Sequence, residues 1–228
     1  MCIRDSYRNI EPRLSLRYKL NTTSSIKGSY SENYQYIHLA STSSVSLPTD
    51  LWVPSSTGIK PKFAKQYALG YFKNFNDNMF ETSLEGYYKE MTNLIEYREG
   101  YLPEDNTNSS SDDSFTFGDG DSYGIEVLLK KNRGKTTGWI GYTLSKTTRY
   151  FDEVNNGLEF PAKYDRRHDL SITATHQLSN AWILSGVFVY ATGNSITLPT
   201  ERYVIGGDVY TQFTARNGYR TTPYHRMD

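Results

Sequence analysis

The densest polar cluster in the sequence is Arg166-Arg167-His168-Asp169, where an imidazole beside a carboxylate has the residue types of a general base and its orienting partner. Glu81 and Glu85 are a carboxylate pair of the kind used in glycoside hydrolysis. Asp112, Asp113, Asp119 and Asp121, around Gly118 and Gly120, offer the oxygen ligands that Ca2+ prefers. Residue type alone does not make a site. Neighbours on a strand point to opposite faces, so His168 and Asp169 cannot act as a dyad there, and no G-x-S-x-G turn accompanies them. The acidic run lacks the central glycine and closing glutamate of an EF-hand loop. His38, His176 and His225 stand at no zinc-ligand spacing. Cys2 is the only cysteine, which excludes an internal disulfide framework and a cysteine-based zinc cluster. No residue therefore qualifies as catalytic, cofactor-binding or metal-ligating. Trp52, within a polar loop, is the one aromatic placed to stack on a ligand, whereas Trp182 reads as a membrane-interface residue. Asn21-Thr22-Thr23 and Asn108-Ser109-Ser110 match a glycosylation acceptor, without consequence if the chain is bacterial.

The elements that must position these residues are strands. In Arg13-Leu14-Ser15-Leu16-Arg17-Tyr18-Lys19-Leu20 every second residue is apolar, so Leu14, Leu16, Tyr18 and Leu20 share one face. The same alternation returns in 25–36, 66–75, 80–89, 122–131, 137–147, 169–178 and 182–190, with a further strand starting near Tyr224. This gives about eight or nine strands of roughly ten residues each. Short polar turns lie at Asn21-Thr22-Thr23, Asn76-Asp77-Asn78, Asn132-Arg133-Gly134-Lys135 and Ser179-Asn180, rich in the residues that tolerate positive φ. Long Ser-, Thr-, Asn- and Gly-rich loops fill 37–65, 91–121, 148–168 and 191–223.

Long loops at every second connection are ordinary in one architecture, the transmembrane β-barrel, with short turns at one rim and long loops at the other. Strands of about ten residues span the bilayer when tilted. Composition agrees: 20 Tyr and 14% aromatics are strand-and-girdle composition, and a hydrophobic content of 37% leaves little for a large soluble core. Trp182, Tyr34, Tyr36, Tyr87, Tyr88 and Tyr190 fall at strand ends as girdle residues. With 25 Lys+Arg against 25 Asp+Glu the chain has no basic excess for nucleic acid. A secreted β-sandwich or a propeller also fits alternating Tyr and Thr.

Phe160-Pro161-Ala162-Lys163-Tyr164-Asp165-Arg166-Arg167-His168-Asp169-Leu170, followed by Phe188-Val189-Tyr190-Ala191-Thr192-Gly193-Asn194, resembles the barrel region of TonB-dependent receptors of the Bacteroidetes type. Ile59-Lys60-Pro61, Gln66-Tyr67-Ala68-Leu69-Gly70-Tyr71 and Glu85-Gly86-Tyr87-Tyr88-Lys89-Glu90-Met91 resemble hairpins of the same family, in the same order, across residues 7–228. The resemblance implies a plugged outer-membrane barrel of about 22 strands. It implies a nutrient ligand (iron chelate, cobalamin, glycan or peptide), energy relayed by TonB through a plug, contact with outer-membrane lipid, and no catalysis or cofactor. Residues 1–6 fit no strand, and residues 7–228 read as part of a barrel, an incomplete curved antiparallel up-and-down sheet without the plug. A secreted carbohydrate-binding or carbohydrate-active β-protein, and a passive porin or adhesin barrel, are the other readings of the function.

Overall fold

A computed structural model describes residues 7–40, 51–98 and 114–228. Its main body is one antiparallel sheet in which neighbours in sequence pair: β1 (Arg13–Lys19), β2 (Ser24–Gln35), β5 (Lys62–Phe75), β6 (Phe80–Tyr97), β7 (Phe115–Lys131), β8 (Thr136–Tyr150), β10 (His168–Gln177), β11 (Ile183–Ala191) and β16 (Tyr224–Met227). The sheet is open, with β1 and β16 at its edges, and among the described residues every strand pair is antiparallel. The remaining strands belong to the long connections: β3 (Ile37–Ala40) with β4 (Leu51–Pro54), β9 (Phe160–Pro161) on β8, β12 (Ser195–Ile196) with β15 (Tyr219–Arg220), and β13 (Pro199–Ile205) with β14 (Asp208–Phe213). Short turns close the other rim. Asn76, Asp77 and Asn78 all take positive φ there, as does Gly134, and the Asn21 side chain accepts the Thr23 N–H at 2.9 Å.

The register shows why one sheet without a second layer holds together. Leu14, Tyr30, Tyr67, Tyr88 and Tyr123 are cross-strand partners along one row. Leu16, Gly28, Leu69, Gly86, Ile125 and Leu144 form the next, and Tyr18, Ile26, Tyr71, Leu84, Val127, Tyr142, Leu170 and Tyr190 the one after. All lie on one face. The opposite face carries Arg17, Lys27, Gly70, Glu85, Glu126, Thr143 and Asp169 in a row, beside Ser15, Ser29, Ala68, Tyr87, Gly124 and Ser145. Since a one-residue slip would interchange the faces, the register is fixed wherever one face meets an apolar solvent. Leu69, Leu84, Ile125 and Leu184 are 50–65% exposed, so no soluble layer covers the apolar face. That excludes a sandwich. The sheet is the wall of a barrel with its apolar face turned to lipid and its polar face to a lumen.

Girdle residues flank the apolar band. Tyr30 and Tyr67 lie with ring centroids 5.1 Å apart, Tyr34 and Phe63 at 4.7 Å, and Trp182 stands exposed beside the short turn before β11. Tyr87 departs from the sequence reading. It points into the lumen, where its ring fills the space a side chain at Gly124 would need. A pair of adjacent tyrosines on a strand can supply only one to the girdle.

A second departure concerns strand length. Residues 91–97, 115–121 and 148–150 were expected in loops, yet β6, β7 and β8 continue through them as paired strands. Above the bilayer both faces meet water or loops, so the apolar alternation that marks a strand disappears while backbone pairing persists. Asp119 and Asp121 thus sit in β7, opposite Tyr150 and Thr148, and not in an acidic loop. Asp112, Asp113 and Asn108 lie outside the described residues.

The buried core is in this upper part. One cluster joins Ala40, Val53 and Ile59 to Ile95, Tyr97 and Phe115. Another joins Leu94, Phe151, Val154 and Phe160, with Met91 against it. Gly118 makes room for the second: a methyl there would fall 2.2 Å from the Tyr150 carbonyl oxygen and 2.5 Å from the Phe151 ring. Among the described residues the sheet is apolar and exposed along the membrane band, and its two buried clusters lie in the upper part, the first on the outer face and the second on the lumen face.

Candidate functional site

The site begins with a β-bulge. Between Met91 and Leu94 the register of β6 on β7 shifts, Asn93 takes φ 56°, and its side-chain amide donates to the Pro61 carbonyl at 3.2 Å. A bulge inserts an unpaired residue and changes which face later side chains use. Met91 and Leu94 therefore fall on the lumen side with Glu96, while Ile95 and Tyr97 turn outward onto β3 and β4. Without the bulge Glu96 would point to the outside.

Glu96 is 4% exposed and is held by two guanidinium groups, Arg149 of β8 at 3.2 Å and Arg216 of the last long connection at 2.5 Å. Asp165, 1% exposed, repeats the arrangement with Arg220 at 2.6 Å and Arg167 at 3.5 Å, and also accepts the Thr147 N–H at 2.7 Å. Asn217 completes the tie: its N–H donates to Thr197 Oγ1, and its side-chain amide donates to the Pro161 carbonyl at 2.9 Å. Arg216 N–H donates to Asn155 Oδ1 at 3.0 Å. The connections 151–167 and 192–223 are thereby bolted to the wall and to each other, and shape the mouth above the lumen.

Lys62, the first residue of β5, faces this mouth half-buried. Burial, together with the positive charges of Arg149 and Lys89, lowers its amine to about 8. His38 is fully buried in β3, with Nε2 3.1 Å from Ser55 Oγ, and burial followed by the positive charge of Lys62 pushes its imidazole down, favouring the neutral ring.

The residues singled out in the sequence are not brought together. His168 faces outward and its Nδ1 lies 2.7 Å from the Tyr142 hydroxyl, while Asp169 faces the lumen, 3.8 Å from Arg166. Glu81 and Glu85 line the lumen. Glu81 is 3.7 Å from Lys130 and accepts from Asn132, while Glu85 stands opposite Glu126. Asp121 accepts from the Tyr88 hydroxyl at 2.7 Å. His176 is 2.7 Å from Thr136 Oγ1 beside a short turn, and His225 pairs in register with Tyr190. Trp52 lies in β4, opposite Leu39 and 62% exposed. Among the described residues no group of three His, Cys, Asp or Glu side chains could hold a metal ion. The sequence reading missed Glu96, Asp165, Arg149, Arg216 and Arg220. Glu96 stands between Ile95 and Tyr97, and Asp165 adjoins Arg166, with nothing local to pair them with Arg149, Arg216 and Arg220; only the bulge and the returning connections make them a set.

A lipid-facing wall with a polar lumen and a loop-built mouth is that of an outer-membrane barrel receptor. Residues 3–228 match the model of the family described as TonB dependent receptor-like, beta-barrel, and the chain belongs to that family. This is a receptor and transporter family of the Gram-negative outer membrane, not a family of enzymes. No curated protein matches the chain. Among solved structures it is similar to the ferripyoverdine receptor of the outer membrane of Pseudomonas aeruginosa, bound to ferripyoverdine, with 16% identity, TM-score 0.61, and coverage of 95% of this chain and 26% of that one. The same receptor bound to heterologous pyoverdines gives 15% identity, TM-score 0.60, and coverage of 95% and 26%. The ferric-catecholate import receptor Fiu of E. coli gives 16% identity, TM-score 0.55, and coverage of 80% and 24%. The chain spans about a quarter of the length of these receptors, and at such identity the likeness is one of fold.

Proposed function

We propose that this chain forms part of the wall and outer mouth of a receptor that binds a scarce nutrient outside the cell and imports it with energy relayed by TonB. The observation that carries the reading is the family match over residues 3–228, joined to an open antiparallel sheet whose outward rows are apolar and aromatic from β1 to β11. The solved receptors of this fold are described with ferripyoverdine and as ferric-catecholate importers, which favours an iron chelate over cobalamin, glycan or peptide. Partners in this reading are outer-membrane lipid along the apolar band, a plug within the lumen, and TonB acting through the plug. Ligand contacts fall to exposed side chains of the long connections, Trp52 of β4 among them, because connections on a rigid scaffold are where recognition resides.

The test is uptake and surface binding by cells carrying the full-length receptor, with and without TonB. Uptake is expected to vanish without TonB while surface binding persists, because binding at the outer mouth needs no energy input. Uptake that continues unchanged without TonB would identify a passive porin instead.

A further inference from the structure

Charge is unevenly placed along the wall. The chain as a whole is neutral, with 25 Lys+Arg against 25 Asp+Glu, but the short-turn rim is basic. The turn from β7 to β8 reads Lys130-Lys131-Asn132-Arg133-Gly134-Lys135, and Lys73 lies near the end of β5. The carboxylates beside them are Glu81, on the lumen face 3.7 Å from Lys130, and Asp77, at the tip of the turn from β5 to β6. Lys73, Lys131, Arg133 and Lys135 make no ion pair among the described residues. The register turns Lys73 and Lys131 to the lipid face. Lys73, Thr82, Leu129 and Ile140 are successive cross-strand partners in one outward row, and Phe75, Phe80, Lys131 and Gly138 in the next. Only β6 separates the two strands, so their backbones are about 10 Å apart. Lys73 Nζ is 4.8 Å from the Phe75 ring centroid and Lys131 Nζ is 5.8 Å from that of Phe80. Because Phe75 and Phe80 are direct partners, both ammonium groups lean onto one aromatic pair. Lys131 Nζ is also 3.9 Å from where a methyl on Gly134 would be, so it reaches the turn that carries the exposed Arg133 and Lys135. The row continues as Gly138, Ala174 and Gly186, and no side chain larger than a methyl stands there to hold an acyl chain off the wall. Trp182, 71% exposed at the next short turn, marks the same rim as a membrane interface.

We propose that Lys73 and Lys131, backed by Arg133 and Lys135, hold the phosphate of an anionic phospholipid at the short-turn rim, with Phe75 and Phe80 beneath the headgroup and an acyl chain along Gly138, Ala174 and Gly186. The site is on the outer wall, at the opposite end from the mouth, and is independent of what the receptor imports. Two features of the patch select a lipid as its occupant. Its charge complements an anion, and it is continuous with the apolar band that already faces the bilayer. An ammonium group turned toward lipid is costly unless its stem lies along apolar surface and its charge reaches the headgroup layer, which is where a phosphate meets it. Lysines suit such a partner, since a compact charge on a flexible stem follows a mobile headgroup without demanding one geometry. Basic clusters beside a membrane-crossing segment attract anionic lipid for the same reason.

The experiment uses the full-length receptor in phosphatidylcholine vesicles, with Cys2 replaced by serine and a fluorescent label attached through Leu129→Cys. Leu129 pairs with Thr82 and Ile140 in the outward row and is two residues from Lys131. Phosphatidylglycerol with brominated acyl chains is added in increasing proportion, and phosphatidylcholine with the same brominated chains is the comparison. The anionic lipid is expected to quench this label at a lower proportion than the zwitterionic lipid, whereas a label placed through Leu170→Cys should be quenched by both alike. Added salt should narrow the difference, because it screens exposed charges. Lys73→Gln and Lys131→Gln, each checked for folding by its mobility on an unheated detergent gel, should each lower the relative affinity for phosphatidylglycerol about fivefold, the weight of one cation at an anionic membrane surface. Free glycerol phosphate should leave the preference in place; if it abolishes it, the site takes phosphate from solution and the proposal falls. Equal quenching of the Leu129 position by the two lipids in low salt would overturn it as well, and would return the basic turns to a soluble partner. So would a preference that survives both substitutions together.

Discussion

Replacing Glu96 with alanine in the full-length receptor is expected to release the last long connection from the wall. The carboxylate is buried and held by two guanidinium groups, one 10% and the other 25% exposed. Removing it leaves Arg216 buried without its counter-charge, and breaking a buried pair in this way costs about 3–5 kcal/mol. The loss should be local, because the membrane band does not depend on Glu96. Hydrogen exchange at the Arg216 and Asn217 amides, which donate to Asn155 and Thr197, is the readout. Their protection should fall by about two to three orders of magnitude, while amides of β10 and β11 stay as they were. Glu153→Ala serves as the control. It breaks the Arg98–Glu153 pair, in which both side chains are 55% exposed, and a pair of that kind is worth about 1 kcal/mol or less. Equal responses of the two variants would show that the mouth is held by its apolar clusters and not by its buried charges.

The second large effect belongs to the lipid face. Ile172 sits in β10 between Ile140 and Phe188, two residues from Leu170 and two from Ala174, with His168 and His176 marking the ends of the outward row. Ile172→Arg should therefore place a charge near mid-membrane and cost about 2–4 kcal/mol, because hydrocarbon cannot solvate it. Thr173, the next residue, faces the lumen opposite Trp139 and Val187. Thr173→Arg should cost much less, since its charge reaches a polar interior. Refolding of the full-length receptor into lipid vesicles, titrated with denaturant, gives both values. Equal costs would mean that the faces of β10 were not sorted by solvent.

The membrane-spanning part of this fold was legible in the sequence for a physical reason. A strand between lipid and lumen must alternate, so Leu14, Leu16 and Tyr18, or Leu170 and Ile172, announce both the strand and its face. Turn chemistry was equally direct: Asn76, Asp77 and Asn78 take the positive φ that their side chains tolerate. The mouth was not legible. Strands that rise into water have the same solvent on both sides, and Gly118-Asp119-Gly120-Asp121 reads as a loop although it pairs as part of β7. Gly118 and Gly120 are small there because Phe151 and Leu94 pack over them, a tertiary cause that no local pattern carries. Glu96 is hidden for a similar reason. Alternation counted upward along β6 assigns it to the outside, and only the single extra residue near Asn93 turns it into the mouth. Asp165 lies within the stretch that carried the family resemblance, yet its role appears only when Arg220, 55 residues later, returns to it.

The central claim is that this sheet stands in a bilayer with its apolar face to lipid and its polar face to a lumen. The most direct measurement is a cysteine scan of residues 169–175 of β10 in the full-length receptor reconstituted in vesicles, with Cys2 replaced by serine and each new cysteine carrying a fluorescent label. A lipid-borne quencher should reach labels at Leu170, Ile172 and Ala174, and should spare those at Asp169, Ser171, Thr173 and Thr175, giving a period of two residues along the strand. Quenching without alternation, or quenching confined to the second set, would contradict the account.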